Sequence, residues 1–242
     1  MLLDVDDMAQ VPLYYNIYEW RDTPIITSLS EGTRTILDIG GNIGQMALLF
    51  AKFAQKVYTF EPIAATADRL AQNIELNHLE DKVILSRIAL TNFIGKINFG
   101  LPPQSNRGTG STIITEQSRN NMIEVEATTL DQFIVQNNIT NVDLIKMDIE
   151  GAELFALQGM TKLLSEPKKP IIILEMTISM MKQAGYGAPE LMDFLKKFGY
   201  SCFEFSKNGL RGPLSEVNPQ SENYCFLTQE HLTLNKVKRV VQ

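Results

Sequence analysis

Short apolar runs alternate along the chain with stretches in which apolar residues recur at helical spacing. The strand-like runs cover residues 34–39, 56–60, 82–90, 142–147 and 170–176. The helical stretches cover residues 43–54, 64–78, 129–138, 151–164 and 188–198. Nearly continuous apolar strands that alternate with helices are typical of a parallel sheet covered by helices on both faces. The pattern therefore predicts an α/β fold with a doubly wound, Rossmann-like sheet.

Two parts of the chain depart from this alternation. Residues 200–205 and 223–228 are strand-like runs separated by a loop rich in Gly, Pro and Asn, which favours antiparallel pairing. Residues 91–128 contain GKINFG and MIEVEAT on either side of the polar segment PPQSNRGTGST. We predict two further strands in this region, joined by a loop.

Length and composition are those of one large domain. The chain has 242 residues, 44% of them hydrophobic and 21% charged, which is enough to bury a sizeable core. We predict a helical N-terminal extension over residues 1–32, a single domain over residues 33–230 and a tail over residues 231–242. The aromatic residues between positions 14 and 20 are expected to lie on a helix of the extension.

Charge and hydropathy restrict the partners. The formal net charge is -6 and no basic stripe occurs, which argues against a nucleic-acid partner. The start, MLLDVDDMAQVPLYY, has acids where a signal peptide needs positive charge, and no apolar run approaches the roughly 20 residues that cross a bilayer. We therefore expect a cytoplasmic protein without membrane association. Cys202 and Cys225 are too few for a disulfide framework and are expected as buried thiols.

The first strand runs into LDIGGNIG, residues 37–44, and then into a helix. Glycines at such a turn let a ligand approach the backbone at the crevice of a doubly wound sheet. A dinucleotide fingerprint that starts at Gly40 would need glycines in place of Asn42 and Gln45, so a phosphate cradle is disfavoured. Asp38 would repel a pyrophosphate but attract an ammonium or sulfonium group. These features favour S-adenosylmethionine, which carries both cations, over a nicotinamide dinucleotide.

The second strand ends in FEP, with Glu61 placed 23 residues after Asp38. An acid at this strand end can accept hydrogen bonds from both ribose hydroxyls of a bound nucleoside. The cofactor-binding residues predicted on the first two strand ends are Asp38, Gly40, Gly41, Asn42, Gly44, Glu61 and Pro62.

The stretch IKMDIEGAE, residues 145–153, concentrates charge at the end of the fourth strand. In a doubly wound sheet the first, fourth and fifth strands are neighbours, so Asp38, Asp148 and Glu175 are expected to face one crevice. Lys146 points to the same side as Asp148, one pleat deeper, where an ammonium needs an acidic partner, and the candidate partners are Asp148, Glu175 and Glu150. We interpret Lys146 as a strut for carboxylates, with direct contact to the methyl acceptor as the alternative.

Methyl transfer from a sulfonium is an in-line displacement, in which positioning supplies much of the acceleration. The candidate catalytic residues are Asp148, Lys146 and Glu175. Asp148 can act as a general base for an acceptor hydroxyl or can orient the cofactor or acceptor, and the sequence does not decide between these roles. No metal is predicted, because Lys146 already supplies positive charge and no third ligand accompanies Asp148 and Glu175. His78 and His231 are expected in surface or capping roles.

The chain resembles the FkbM family of methyltransferases over about residues 33–206. The resemblance is carried by TILDIGGNIG, TFEP, NIELN, ATTLDQF, PIIILEM and, most specifically, KMDIEGAE. It implies the class I S-adenosylmethionine-dependent fold, a seven-stranded sheet with an antiparallel last strand and helices on both faces. It also implies that the backbone near Ala89 faces adenine, and that the reaction is O-methylation of a small molecule, sugar or polyketide-like acceptor.

Several functional questions stay open at this point. A non-catalytic S-adenosylmethionine-binding module would share the glycine turn and Glu61, and an NAD-dependent oxidoreductase is a less favoured alternative. The expected partner is a small-molecule or glycan acceptor. Its identity and the pathway are not predicted, because the segment near residues 101–120 matches no family pattern. A homodimer is one option for the oligomeric state.

Overall fold

The computed structural model of the protein describes residues 1–3, 22–101, 110–114, 116 and 118–242. Eleven strands lie in these ranges: β1 (Thr35–Ile39), β2 (Lys56–Phe60), β3 (Val83–Ser86), β4 (Ala89–Leu90), β5 (Gly95–Gly100), β6 (Met122–Thr128), β7 (Leu144–Met147), β8 (Ile171–Glu175), β9 (Ser201–Ser206), β10 (Gly209–Leu214) and β11 (Asn223–Leu227). Eight of them form the central sheet, in the order β10-β9-β11-β8-β7-β1-β2-β3.

The helices of the described ranges are α1 (Thr23–Ser30), α2 (Gln45–Phe50), α3 (Ala64–Leu76), α4 (Leu130–Gln136), α5 (Glu153–Gln158), α6 (Thr161–Ser165), α7 (Ile178–Gln183), α8 (Ala188–Lys196) and α9 (Asn235–Lys238). Helices α4 to α8 pack on one face of the central sheet, and α1, α2, α3 and α9 pack on the other. Both faces of the parallel strands are therefore buried, which explains why those strands are apolar almost throughout.

The strand directions confirm the predicted α/β class. Strands β1, β2, β3, β7 and β8 are parallel neighbours, and β11 is antiparallel to both β8 and β9. The sheet is thus mostly parallel, with an antiparallel portion at one end. The expected antiparallel pairing of the two last apolar runs is present as β9 with β11.

The sheet has eight strands in the described part of the chain, where seven were expected. The additional strand is β10, which forms an antiparallel edge next to β9. Its sequence, GLRGPL, has two glycines and a proline, and such a sequence predicts a loop. An edge strand tolerates these residues because one of its sides needs no hydrogen bonds to a neighbour.

Two predicted elements are each divided in two. The run at residues 82–90 becomes β3 and β4, because Arg87 leaves the sheet to form an ion pair with Asp68 and the following residues join another sheet. The helix predicted at residues 151–164 becomes α5 and α6. It is interrupted at Gly159, where a Cβ would collide with the carbonyl oxygen of Thr91.

A second sheet of three strands has the order β4-β6-β5. Strands β5 and β6 pair antiparallel along their length, and β4 runs parallel to β6. The two strands predicted between residues 91 and 128 are therefore confirmed. This small sheet follows β3 directly, so it lies beside the carboxyl ends of the parallel strands.

Several predictions concern the ends of the chain. Residues 4–21, with the aromatic residues expected on a helix, lie outside the described residues. The described chain continues with α1, and the domain boundaries stay predictions. Cys202 and Cys225 are buried and free, as expected. Within the ranges that the structure describes, no helix is both long and apolar enough to cross a bilayer.

The two histidines differ in environment. His78 is exposed after α3, as expected, with a φ of 54°. His231 is buried, so a surface position is wrong for it. Its Nδ1 accepts a hydrogen bond from the backbone N–H of Thr228, and its Nε2 lies 2.9 Å from the carbonyl oxygen of Lys169. His231 therefore fastens the C-terminal segment to the residues before β8.

Candidate functional site

A cavity opens at the carboxyl ends of β1, β2 and β7, beside the small sheet. It is lined by Ile39, Gly40, Asn42, Phe60, Glu61, Pro62, Ile63, Ile88, Ala89, Leu90, Phe99, Gly110, Thr112, Asp148, Ile149 and Ala152. Most of these side chains are apolar; Asn42, Glu61 and Asp148 are polar and follow three separate strands, and Thr112 is a fourth polar residue from the segment between β5 and β6. Such a cavity at the carboxyl edge of a doubly wound sheet is the usual place for a ligand.

Not all of the predicted cofactor-binding residues line this cavity. Gly40, Asn42, Glu61, Pro62, Ala89 and Asp148 do, whereas Asp38, Gly41 and Gly44 are not among the lining residues. Lys146 and Glu175 do not line it either. The structure thus brings together the ends of β1, β2 and β7 with the short strand β4.

The glycines of the β1–α2 turn are required by close packing against neighbouring elements. A Cβ at Gly40 would collide with the carbonyl oxygen of Asp148, and a Cβ at Gly41 would collide with the hydroxyl of Thr59. Gly40 also lines the cavity, and the expectation that a ligand approaches its backbone stays a prediction. Gly40 and Gly44 also have φ values of 90° and 97°, which L-residues rarely adopt.

Asp38 is fully buried within the layer between the sheet and the helices. Its Oδ2 accepts a hydrogen bond of 3.1 Å from the hydroxyl of Thr59, and its Oδ1 has no hydrogen-bond partner among the described residues. Burial raises the pKa of Asp38 to about 6, although the charge of Lys146 and the Thr59 hydrogen bond act in the opposite direction. Direct contact between Asp38 and a cofactor stays a prediction.

Glu61 faces the cavity from the end of β2 and organises the backbone around it. Its Oε2 accepts the N–H of Asn42 at 3.1 Å, and its Oε1 accepts the N–H of Ile63 at 2.8 Å. Burial raises the pKa of Glu61 to about 8, against the effect of these two hydrogen bonds. Each carboxylate oxygen has a second lone pair, so Glu61 can accept further hydrogen bonds from a ligand.

Asn42 adds a polar atom to the same part of the cavity. Its backbone is in the left-handed region, with a φ of 44°. Its Oδ1 is buried and, within the described residues, has no hydrogen-bond partner. A buried acceptor without a partner is uncommon in native structures, and a ligand that donates a hydrogen bond would satisfy it.

Lys146 and Asp148 form the expected ion pair at the end of β7. Lys146 Nζ lies 3.0 Å from Asp148 Oδ2, and the lysine is only 3% exposed. In the sheet register Lys146 stands opposite Asp38 of β1. Glu175 ends the neighbouring strand β8, where it pairs with Asn223 of β11.

The chain turns sharply after β7. Glu150 has a φ of 53° and Gly151 a φ of 92°, so two consecutive residues are in the left-handed region. Burial raises the pKa of Glu150 to about 7, and the charges of Asp148, Glu153 and Glu222 raise it further. Glu153, at the start of α5, is buried behind this turn. Sequence reasoning gave Glu153 no role.

The small sheet supplies another wall that sequence reasoning did not identify. Phe99 lies near the end of β5, and Gly110 and Thr112 follow farther along the chain. Between them Ser111 is buried, and its hydroxyl donates a hydrogen bond of 2.8 Å to the carbonyl oxygen of Glu150. In the sequence, the segment near residues 101–120 is marked only by matching no family pattern, and residues 110–112 of it meet the site.

Within the described ranges, no group of three or more His, Cys, Asp and Glu side chains is arranged to hold a metal ion. The prediction that no metal takes part is left to a chelation experiment.

The fold and the cavity at its strand ends define an α/β protein of the methyltransferase type. More particularly, the chain belongs to the FkbM methyltransferase family, since the family model described as "Methyltransferase FkbM domain" matches residues 38–202. A crystal structure of the methyltransferase FkbM from Methylobacillus flagellatus has the same fold, with a TM-score of 0.54 and 15% identity. That similarity covers 81% of this chain and 44% of the other.

Two curated relatives have named activities. Hexuronic acid methyltransferase AglP of Haloferax volcanii is 31% identical over 135 residues, which are 56% of this chain and 53% of the relative. 2-O-methyltransferase NoeI of Sinorhizobium fredii is 29% identical over 155 residues, covering 56% of this chain and 60% of the relative. The chain thus spans little more than half the length of the curated relatives that it matches.

Proposed function

We propose that the protein is an S-adenosylmethionine-dependent O-methyltransferase that acts on a hydroxyl of a sugar or another small molecule. The observation that carries this proposal is the arrangement of Glu61 and the Lys146–Asp148 ion pair around one strand-end cavity. Family membership supports the methyltransferase activity. The names of the two relatives support oxygen as the methylated atom and a sugar as the acceptor.

The cavity fits S-adenosylmethionine in its chemistry. We assign Glu61 to the two ribose hydroxyls, because its carboxylate faces the cavity and retains lone pairs. Asn42 Oδ1 is assigned to a donor group of the cofactor, since it is buried without a partner among the described residues. Ile63, Ala89 and Leu90 offer apolar surfaces for the adenine. When bound, the cofactor supplies an electrophilic methyl group on a sulfonium.

Asp148 is the candidate general base for the acceptor hydroxyl. It is 23% exposed at its side chain and lines the cavity, so an acceptor can reach it. Lys146 engages Oδ2, which leaves Oδ1 to take the proton of the hydroxyl. The ion pair fixes the rotamer of Asp148, and Asp148 would thereby hold the acceptor oxygen in line for transfer. Glu175, on the next strand, is proposed to help orient the acceptor.

Binding measurements test the cofactor assignment. Calorimetric titration with S-adenosylmethionine and S-adenosylhomocysteine is expected to give saturable binding, and titration with NAD is expected to give none. Binding of NAD in place of both adenosyl compounds would support the oxidoreductase alternative and overturn the proposal.

Transfer measurements test the activity. We would incubate the protein with methyl-labelled S-adenosylmethionine and a panel of hexuronic acids, neutral hexoses and their methyl glycosides. We expect labelled product from at least one acceptor. The label should remain after treatment with alkali, which hydrolyses methyl esters but not methyl ethers. Binding without transfer to any acceptor of this panel would favour a non-catalytic module. Transfer that is lost with a chelator and restored by magnesium would assign the activation of the hydroxyl to a metal.

A further inference from the structure

The turn that carries Asp148 into the cavity has an unfavourable backbone shape. Glu150, which has a Cβ, is in the left-handed region together with Gly151. A Cβ at Gly151 would collide with the backbone of Met180, so the turn is pressed against α7. A turn of this shape persists only where surrounding contacts hold it.

Glu153 supplies these contacts from the first turn of α5. Its side chain is buried, with 1% of the residue exposed. Oε1 accepts hydrogen bonds from the backbone N–H groups of Ile149 at 3.2 Å and Gly151 at 3.1 Å. One carboxylate oxygen thus binds the amides on both sides of Glu150 and closes the turn.

Tyr186 binds the other oxygen of Glu153. Its hydroxyl lies 3.1 Å from Oε2 and 3.1 Å from the carbonyl oxygen of Gly151, and it accepts the N–H of Leu154 at 3.4 Å. The ring packs edge-on against Phe155, with centroids 6.1 Å apart. The Tyr186 hydroxyl therefore fixes the Glu153 rotamer relative to both the turn and α5.

The same turn is bound on its other sides. The N–H of Asp148 donates to the carbonyl oxygen of Ile39 at 2.9 Å. The hydroxyl of Ser111 donates to the carbonyl oxygen of Glu150. These contacts hold backbone at the first and third residues of the turn, whereas Glu153 alone among the described residues binds the amides of Ile149 and Gly151.

We propose that Glu153 is a positioning residue for methyl transfer, which fixes the turn so that Asp148 and Ile149 keep their places in the cavity. This inference rests on the proposed function. Glu153 is not among the residues that line the cavity, and Asp148 and Ile149 are. It therefore acts through the backbone of the turn and does not touch a substrate.

Three variants separate this role from a general contribution to stability. Glu153→Gln keeps an oxygen for the two amides, while its amide nitrogen can donate to the Tyr186 hydroxyl. Glu153→Met keeps the length of the side chain and removes both acceptors. Glu190→Met is the matched control, because Glu190 also accepts a backbone N–H at the start of a helix, that of Gly187, but is exposed on α8.

Three measurements are made on each variant: amide hydrogen exchange, S-adenosylhomocysteine affinity, and kcat and KM with the sugar that the wild type methylates. For Glu153→Met we expect faster exchange at Ile149 and Gly151 and a kcat at least about tenfold lower, the scale of a small misplacement of reacting groups. Glu153→Gln should recover most of the kcat and the protection. Glu190→Met should match the wild type in all three.

The proposal would be overturned if Glu153→Met exchanged normally at Ile149 and Gly151, or if Glu153→Gln were as impaired as Glu153→Met. The proposal would also be overturned if the fractional loss of kcat in Glu153→Met were no larger than the fraction of that variant that is unfolded. If the wild type methylates no acceptor, the proposed function has failed. The exchange measurement then still decides whether Glu153 holds the turn.

Discussion

Burial decides what each charged side chain of residues 145–153 can do. Lys146 has 4% of its side chain exposed and Asp148 has 23%, so the lysine is confined to its carboxylate partners while the aspartate reaches the cavity. Glu153 is more deeply buried and uses one oxygen for two backbone amides. Residues 145–153 therefore contain a candidate base, Asp148, and its counter-ion, Lys146. They also contain Glu153, which stabilises the turn after β7.

The first prediction concerns the candidate base. Asp148→Asn keeps the shape of the side chain but removes its charge and basicity. We expect methyl transfer to fall by roughly 10²-fold or more, with S-adenosylhomocysteine affinity close to normal. Single-turnover rates and calorimetry measure the two effects. A variant that retains full activity would exclude both a general base and a charged orienting group at Asp148.

The second prediction concerns the counter-ion. Lys146→Met removes a positive charge. In the wild type this charge lies beside Asp148 and acts to lower the pKa of buried Asp38. Breaking a buried ion pair leaves carboxylate charge uncompensated, so we expect a loss of about 3 to 5 kcal/mol in the free energy of unfolding. Urea denaturation measures it. Lys96→Met, which breaks a pair with Glu124 on the exposed surface, is the control and should leave the free energy of unfolding nearly unchanged.

The third prediction concerns the ribose acid. Glu61→Ala should weaken S-adenosylhomocysteine binding by about 1.5 to 3 kcal/mol, because the hydrogen bonds of both ribose hydroxyls to its carboxyl group are lost. The variant should also be less stable, since the N–H groups of Asn42 and Ile63 lose their acceptor. Calorimetry and thermal unfolding are compared with Glu80→Ala, an exposed acid. Unchanged affinity in the folded variant would refute the ribose assignment.

At the scale of elements, strand direction and side-chain alternation carried most of the sequence-based prediction. The parallel order puts the ends of β1, β2 and β7 side by side, so Glu61 and Asp148 could be assigned to one crevice. Alternation along β7 put Lys146 on the same side as Asp148, but it left Asp148, Glu175 and Glu150 as candidate partners, among which the structure shows Asp148. Strand β10 was missed because its glycines and proline are tolerated only at an edge, which local sequence does not reveal.

The details of the turns could not be predicted in the same way. The contacts of Glu153 depend on the left-handed backbone of Glu150, and hydrophobic periodicity carries no information about that angle. The role of Gly40 depends on how closely β1 approaches the end of β7. Both features arise where two elements meet, whereas the sequence pattern describes each element separately.

The fourth prediction tests this close approach. Gly40→Ala would force a Cβ against the carbonyl oxygen of Asp148 in addition to straining a backbone with a φ of 90°. We expect a loss of stability of about 3 kcal/mol or more. Gly199→Ala is the matched control, because its φ is 85° and no atom lies within 4 Å of the added Cβ. It should lose about 1 to 2 kcal/mol. Equal melting temperatures for the two variants would show that the carbonyl oxygen of Asp148 does not pack tightly against Gly40.

At the scale of the whole molecule, the fold gathers acids at the carboxyl edge of the sheet and buries them. The pKa of Asp38 is raised to about 6, those of Glu150 and Glu153 to about 7, and that of Glu61 to about 8. Burial is the largest cause for all four. Their ordinary values are 3.8 for Asp and 4.5 for Glu, so near neutral pH the folded protein holds protons that the unfolded chain has released.

The fifth prediction is the resulting dependence of stability on pH. Because the folded state binds more protons, the free energy of unfolding should fall as pH rises from about 6.5 to 8.5. Each extra bound proton contributes a slope of about 1.4 kcal/mol per pH unit. His231 acts at lower pH: burial lowers its pKa below 6.5, so the stability that depends on neutral His231 is lost as pH falls through and below that value. The single proton at His231 opposes the effect of the four acids but does not reverse it, so stability should be higher at pH 6.5 than at pH 8.5.

Denaturation in urea at pH 6.5, 7.5 and 8.5, on the protein without cofactor, measures this slope. Glu153→Gln cannot ionise at position 153 and keeps an acceptor for the turn, so its slope should be shallower than that of the wild type. Glu190→Gln, at an exposed acid, should leave the slope unchanged. Stability that is flat or rises over this range would mean that the buried acids are ionised in the folded protein at neutral pH. The carboxyl edge would then have to compensate that charge with counter-ions or penetrating water.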